Sequence, residues 1–531
     1  MTYPPVADEP TGIRSVSEFL GWHAARTPHV DAAVLGERRI SYAQLKQQVD
    51  DLARALLAAG VCKGDRVATL CTPHPEYLIA FLASVSVGAI WVGLNPRYQT
   101  QELTYVAGDC DPVVLIARTR IGGRDYATEI AAIREVAPSM RRVVALDEDT
   151  PLGLEHMSDF LASGRSGARG ALSEARANCG GRDPCLIVYT SGSTGRPKGA
   201  MLHHEGIVQF CLMQNRVWPI ARQRVVNFLP INHVGCVVDL TCPTLAAGGC
   251  TVFMERFDAA ESMALTERER ISWWISVPSV FQMQLAVPDF DAYDLSALKL
   301  IVWEGAAMPE SIIRRLLDIL PGGLATNYGM TESTSAMTVV PPTDDVDVLA
   351  NSVGVPFEGV TVRLVGEDGA EVRRGEPGEI QARSIYNMLG YWRRPEETAK
   401  TLLPGGWLRT GDIAVQRPDG SYRLVGRMTE MFKSGGYNVY PREVENVIES
   451  HPAVDLAAVV SRADPLWQEV GVAFVIPRHM ITAAELEAHC RERLANYKVP
   501  KHFVIRDNLP LLPIGKVDKR ALRLLAQGET T

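Results

Sequence analysis

The chain has 531 residues, is 46% hydrophobic and 22% charged, and carries a formal net charge of -8. That length is enough for more than one domain, and the acidic balance argues against a nucleic-acid or anionic-membrane partner. Ten cysteines are scattered without a C-x-x-C pair, which speaks against a zinc or redox motif and for a reducing compartment. The opening residues, MTYPPVADEP, lack the basic-then-apolar pattern of a signal peptide, so the cytoplasm is the expected location.

In chain order, residues 31–35 and 40–42 predict a strand pair around Gly36. Ser41 then caps a helix with Leu45, Val49, Leu52, Ala53 and Leu56 at helical spacing. Residues 66–70 predict the next strand. Residues 77–94 form an eighteen-residue stretch without a charge, the lower length for a spanning helix. Ser84, Ser86, Gly88 and Gly93 interrupt it. A buried helix over 75–87 and a strand over 89–92 fit better. Residues 162–183, rich in Gly, Ser, Arg and Ala, read as a mobile connector. Strands alternating with helices imply an α/β fold with mainly parallel sheet. After a turn at 418–420, a shorter unit follows: a helix starting at 443, strands at 454–460 and 470–476, and a helix at 483–494. The boundary is expected at 426/427. Residues 1–426 would form a large domain of mixed and parallel sheets layered with helices, and 427–531 a small mobile α+β domain.

Residues 189–199, YTSGSTGRPKG, follow the apolar run 185–189. Thr190, Ser191, Ser193 and Thr194 offer hydroxyls. Gly192, Gly195 and Gly199 let the backbone approach a ligand, and Arg196 and Lys198 bring positive charge. The composition suits a phosphate cradle, and equally a polar surface turn. It is not the Walker pattern, because no hydroxyl follows Lys198. Four further motifs follow: YGMTE at 328–332, TGD at 410–412, the run 426–445 beginning GR, and PIGK at 513–516.

In this order the five motifs resemble those of the adenylate-forming superfamily, in its acyl- and aryl-CoA synthetase branch, over essentially the whole chain. The resemblance implies that ATP and a carboxylic acid give an acyl-adenylate and pyrophosphate, and that a thiol then attacks the adenylate. ATP, Mg²⁺ and CoA are the implied cofactors. Lys516 would bridge the carboxylate and the α-phosphate, whereas Lys519 and Arg520 read as surface charges. Thr190, Ser191, Gly192, Ser193, Thr194, Gly195 and Lys198 would hold phosphates. Gly305, Ala306 and Ala307, with Asn327, Tyr328, Gly329 and Met330, would form the adenine site. Thr331 would bond the α-phosphate. Glu332, with Thr194, would hold Mg²⁺, a hard cation that takes oxygen ligands. Asp412 and Arg427 would reach the ribose. Lys433, Ser434, Gly435 and Gly436 would line the thiol's path after the small domain rotates.

His233 matches a gate at the acyl pocket, although a histidine beside an apolar run also suits a plain core position. Two residues depart from the pattern: Glu304, where a small residue is usual, and Thr429 at the hinge. No aspartate directly follows His233, and Asp239 lies six places on, so the acid is expected to lack an α-amino group. Walls at 233–238, 303–306 and 329–336 read as apolar and small, suiting an aryl, alicyclic or medium-chain acyl group. The expected partners are the acid and CoA, without a membrane span, and a homodimer is compatible with the resemblance. The alternatives are an adenylation enzyme loading a carrier protein, a luciferase-like oxygenase and a non-catalytic nucleotide-binding relative. The retained Lys516, Glu332 and Asp412 argue against the last.

Overall fold

The computed structural model describes residues 3–6, 8–147, 153–166, 170–190, 196–511 and 517–528. An eight-stranded sheet has a parallel centre, in which Ile90–Leu94 lies between Arg66–Leu70 and Pro184–Thr190. These strands are near-continuous apolar runs because helices cover both faces of such a sheet. The helix Pro75–Ser86 buries every residue except Glu76. The absence of charge from Tyr77 onward therefore reflects core packing. Among the described residues, no helix is long and apolar enough to cross a membrane. Lys198–His203 returns antiparallel to Pro184–Thr190, with Lys198 opposite Thr190.

A second sheet aligns Trp273–Ser276, Leu300–Trp303 and Leu324–Gly329 in parallel, then adds Ala336–Thr343 antiparallel. Trp303 lies opposite Thr326. The segments that leave these two strands thus emerge side by side at their C-terminal ends, where α/β sheets place ligands. A third, antiparallel sheet sets Trp407–Gln416 between Pro377–Arg383 and Tyr422–Arg427, with Asp412 opposite Arg427.

The C-terminal region builds its own sheet from Phe432–Ser434, Tyr437–Val439, Val454–Asp464, Gln468–Pro477 and His502–Ile505. Alternate residues of one strand serve two cores, since successive side chains point to opposite faces. Ala457 and Val459 pack with Val444, Ile448 and Leu486 from the helices Pro441–Glu449 and Ala483–Arg493. Ala458 and Val460 pack with Leu522 of the terminal helix Lys519–Gly528.

Two expectations need correction. The stretch 162–183 is more than a connector, because Ala171–Ala177 is helical and buries Leu172. Lys519 is no surface charge. Its ammonium lies 2.7 Å from Glu430 and 2.8 Å from Glu445, and only 21% of its side chain is exposed. The expected exposure of Arg520 agrees with the structure.

Candidate active site

Thr326 Oγ1 donates to the Trp303 carbonyl at 2.9 Å, which ties together the two strands that present the site. Beyond that tie, Asn327 Nδ2 donates to Glu304 Oε2 at 3.4 Å. Gly305, Ala306 and Ala307 continue from Glu304 as an exposed turn. Asn327 and Tyr328 are buried.

The Tyr328 hydroxyl donates to Asp412 Oδ2 at 2.7 Å, and Arg427 Nε lies 3.0 Å from Asp412 Oδ1. Burial, then the adjacent Asp412, pushes the Tyr328 phenol well above its ordinary pKa. The same carboxylate holds the Arg427 guanidinium above its usual value. Local hydrogen bonds set the backbone around Asp412 within its strand. The Gly411 N–H donates to Glu379 Oε1 at 3.2 Å, and the Asp412 N–H to Thr410 Oγ1 at 3.0 Å. The motifs around Tyr328, Asp412 and Arg427, far apart in sequence, thereby share one hydrogen-bonded group.

Gly329 passes so close to the next strand that a Cβ would sit 1.9 Å from the Ser335 carbonyl oxygen. Only glycine fits there. Met330 then leads into the short 3₁₀ turn Thr331–Ser333. Thr334 closes the turn at φ 69°, a left-handed conformation rare for a β-branched residue. It is held there by donating its hydroxyl to the Tyr386 carbonyl.

Glu332 is buried, and its Oε1 accepts a hydrogen bond from the Tyr391 hydroxyl at 2.7 Å. The Lys198 ammonium lies 4.6 Å from the centre of the Tyr391 ring. Burial and the Glu332 charge raise the Tyr391 phenol's pKa. Backbone bonds fasten the same strap, from Met388 N–H to the Glu332 carbonyl at 2.8 Å and from Trp392 N–H to the Gly199 carbonyl at 2.7 Å. Tyr391 carries no motif, so nothing in the sequence marked it. Its pairing opposite Ala200 places it between the basic hairpin and Glu332. Thr190 Oγ1 reaches the Lys198 carbonyl at 3.4 Å across that hairpin. Ser191, Gly192, Ser193, Thr194, Gly195 and Lys516 lie outside the described residues.

His233 precedes the π-helix Gly235–Thr241, and its Nδ1 accepts the Gly235 N–H at 3.0 Å. Just past the expected wall 233–238, the π-helix holds a buried carboxyl. Asp239, buried in the π-helix, accepts from the Ser335 hydroxyl and lies within the electrostatic reach of Glu304. Burial first, and Glu304 second, push the Asp239 pKa well above the carboxylate range.

Lys433 and Ser434 lie on the C-terminal sheet, and the Lys433 N–H donates to Glu469 Oε2 at 3.4 Å. Gly435 and Gly436 form the following turn at φ 58° and 87°. The Gly435 N–H donates to the Trp467 carbonyl at 2.9 Å. These four residues are thus held by the C-terminal sheet and not by the Tyr328–Asp412–Arg427 group.

A family model described as AMP-binding enzyme matches residues 20–392, and one described as AMP-binding enzyme C-terminal domain matches residues 443–516. The chain belongs to the AMP-binding enzyme family. This AMP-binding enzyme is 36% identical over 513 residues to a feruloyl-CoA synthase of an Amycolatopsis species, covering 94% of this chain and 96% of that protein. It is 35% identical over 525 residues to an indoleacetate–CoA ligase of Aromatoleum aromaticum, covering 97% of this chain and 99% of that one. A solved anthranilate CoA ligase in complex with anthranoyl-AMP superposes with a TM-score of 0.86 at 25% identity, covering 99% of this chain and 98% of that one. The acyl- and aryl-CoA synthetase branch is thereby established for this AMP-binding enzyme, together with its layered α/β architecture.

Proposed function

We propose that this AMP-binding enzyme is an ATP-dependent acid–CoA ligase whose acid is aryl. It adenylates the carboxylate, releases pyrophosphate and passes the acyl group to CoA. The observation that carries this reading is the joining of Tyr328, Asp412 and Arg427 beside Asn327 and Glu332. In the proposed division of labour, Asn327 and Tyr328 receive the adenine from one side, with residues 305–307 on the other. Asp412 keeps lone pairs for the ribose hydroxyls while Tyr328 and Arg427 hold its orientation. Thr331 and the hairpin bearing Thr190 and Lys198 meet the phosphates.

Glu332 suits Mg²⁺, which is usually bound by one or two carboxylates plus substrate phosphates. Bound there, the ion would neutralise phosphate charge. Lys516 brings the positive charge that lets two anions meet. Lys433 to Gly436 serve the thiol half-reaction, with residues 427–531 as the moving unit. The names of the three relatives, feruloyl, indoleacetate and anthranilate, favour the aryl acid.

The test is pyrophosphate release with Mg²⁺-ATP over aryl, alicyclic and fatty acids, with and without CoA. Release restricted to aryl acids, with the CoA thioester formed, is the expected result. Adenylate that accumulates with CoA present would move the acceptor to a carrier protein. Turnover restricted to fatty acids would overturn the aryl assignment.

A further inference from the structure

Two opposite charges of the site rest on one aromatic side chain. The Tyr391 hydroxyl donates to Glu332 Oε1 at 2.7 Å, and the Lys198 ammonium sits 4.6 Å from the centre of the same ring. Tyr391 and Glu332 are both buried, so water does little to screen their contact. Among the described residues Lys198 has no carboxylate partner. A lysine and a carboxylate brought together in a buried site ordinarily close into an ion pair, in which each neutralises the other. Here the ring takes both instead. Its face attracts the cation, and its hydroxyl donates to the anion. The hydroxyl engages one oxygen of Glu332, which fixes the plane of the carboxylate.

Tyr391 is itself held firmly. Gly390–Tyr391 pairs antiparallel with the basic hairpin, Tyr391 opposite Ala200. The Tyr391 N–H donates to Thr398 Oγ1 at 2.9 Å, and that hydroxyl donates to the Arg394 carbonyl at 2.7 Å. Trp392 gives its N–H to the Gly199 carbonyl at 2.7 Å and its Nε1–H to the Asp109 carbonyl at 3.0 Å. Asp109 Oδ2 accepts from the Tyr189 hydroxyl at 2.7 Å. Tyr189 and Gly199, the ends of the hydroxyl-rich run, are thus tied to the segment that carries Tyr391, one through Asp109 and one directly. Groups that hold a metal-binding carboxylate act by fixing its orientation, and a rigid backbone beneath them keeps that orientation in place.

We infer that Tyr391 is a positioning residue of the adenylation half-reaction: it keeps Lys198 and Glu332 apart, so that the ammonium stays available to phosphate and the carboxylate to Mg²⁺. This rests on the reading of Lys198 and Glu332 given above. The ring and the hydroxyl do separate work, and substitutions can remove them one at a time.

ATP binding by titration calorimetry at varied Mg²⁺, beside pyrophosphate release, tests it. Tyr391→Phe keeps the ring and loses the hydroxyl. Its Mg²⁺ requirement for half-maximal ATP binding is expected to rise about tenfold, with ATP affinity in EDTA unchanged. Tyr391→Leu loses the ring as well, and is expected also to weaken ATP binding in EDTA by about threefold to tenfold. AMP, which lacks the terminal phosphates, should bind both variants as it binds the wild type. In pyrophosphate release both variants should lose kcat with little change in the KM of the acid. An unmoved Mg²⁺ requirement in Tyr391→Phe, where Glu332→Gln raises it, would overturn the inference and leave the ligase reading intact. So would a loss of AMP affinity equal to the loss for ATP, which would make Tyr391 a support of the fold alone. A Mg²⁺ requirement unmoved in Glu332→Gln would overturn the metal reading of Glu332 and this inference with it.

Discussion

Asp412 uses both carboxylate oxygens at once, one for the Tyr328 hydroxyl and one for Arg427. An amide in its place offers one acceptor where two are needed. Asp412→Asn is expected to lower kcat/KM for ATP by about tenfold to a hundredfold, with a smaller change in the KM of the acid. Steady-state kinetics with each substrate varied in turn would check this, and equal rises in both KM values would remove Asp412 from the nucleotide side. Tyr328, Asp412 and Arg427 were legible as candidates because each lies in a short motif with its chemistry on view. Glu304 was legible only as a departure. Asp239, whose pKa Glu304 helps to raise, sits on a different element, so their proximity had no local signature.

The terminal helix Lys519–Gly528 begins on a lysine that links it to the segment after Arg427 and to the helix Pro441–Glu449. Burial works against the charge on Lys519, but Glu445 and Glu430 together hold its pKa above the ordinary value. Burial also opposes the charge on Glu430, and Lys519 nevertheless draws its pKa down. Lys519→Met removes the cation that Glu430 and Glu445 share, leaving Glu445 only Arg442 at 3.4 Å, and is expected to cost about 2–4 kcal/mol of stability, measured by urea unfolding. Because the Glu430 pKa is depressed on folding, its share of the difference is present above the ordinary carboxylate range and lost as pH falls through the folded value. Because the Lys519 pKa is raised, its share is fully present below the ordinary lysine value and fades as pH rises through the folded one. The wild-type advantage should therefore be flat at neutral pH and shrink below about pH 4. No stability difference at neutral pH would show the link to be inert. In the sequence this lysine stands in a basic string, which carries no information about the acids that fold against it.

At the scale of the whole chain, the adenylation and thiolation candidates belong to separate sets of strands. Tyr328 and Asp412 lie on strands of the larger part, with Glu332 in the turn that follows Tyr328's strand, and Gly435 and Gly436 form the turn between two strands of the C-terminal sheet. If residues 427–531 move as a unit between the half-reactions, single substitutions should separate them. Lys516→Ala is expected to lose adenylation yet still convert presynthesised acyl-adenylate to thioester. Full ATP-dependent activity in that variant would remove Lys516 from the reaction. A Cβ on Gly436 would meet nothing within 4 Å, although at φ 87° any side chain strains the turn. Gly436→Trp is expected to keep pyrophosphate release and to slow thioester formation by about a hundredfold or more. Equal loss of both half-reactions would mean that the turn serves folding and not the thiol.

Periodicity and turn chemistry act over a few residues, and at that range the sequence was explicit. The Ser41 cap, the buried helix Pro75–Ser86, the strand Pro184–Thr190 leading to the basic hairpin, and the C-terminal helices all formed where their patterns lie. The order of the motifs carried the family. Tertiary structure decided which distant groups meet: Tyr391 on Glu332, Lys519 on Glu430 and Glu445, and Ser335 on Asp239. A side chain's charge and pKa depend on what the fold places within a few ångströms of it and on how much water it leaves there, and neither is encoded in the few residues on either side.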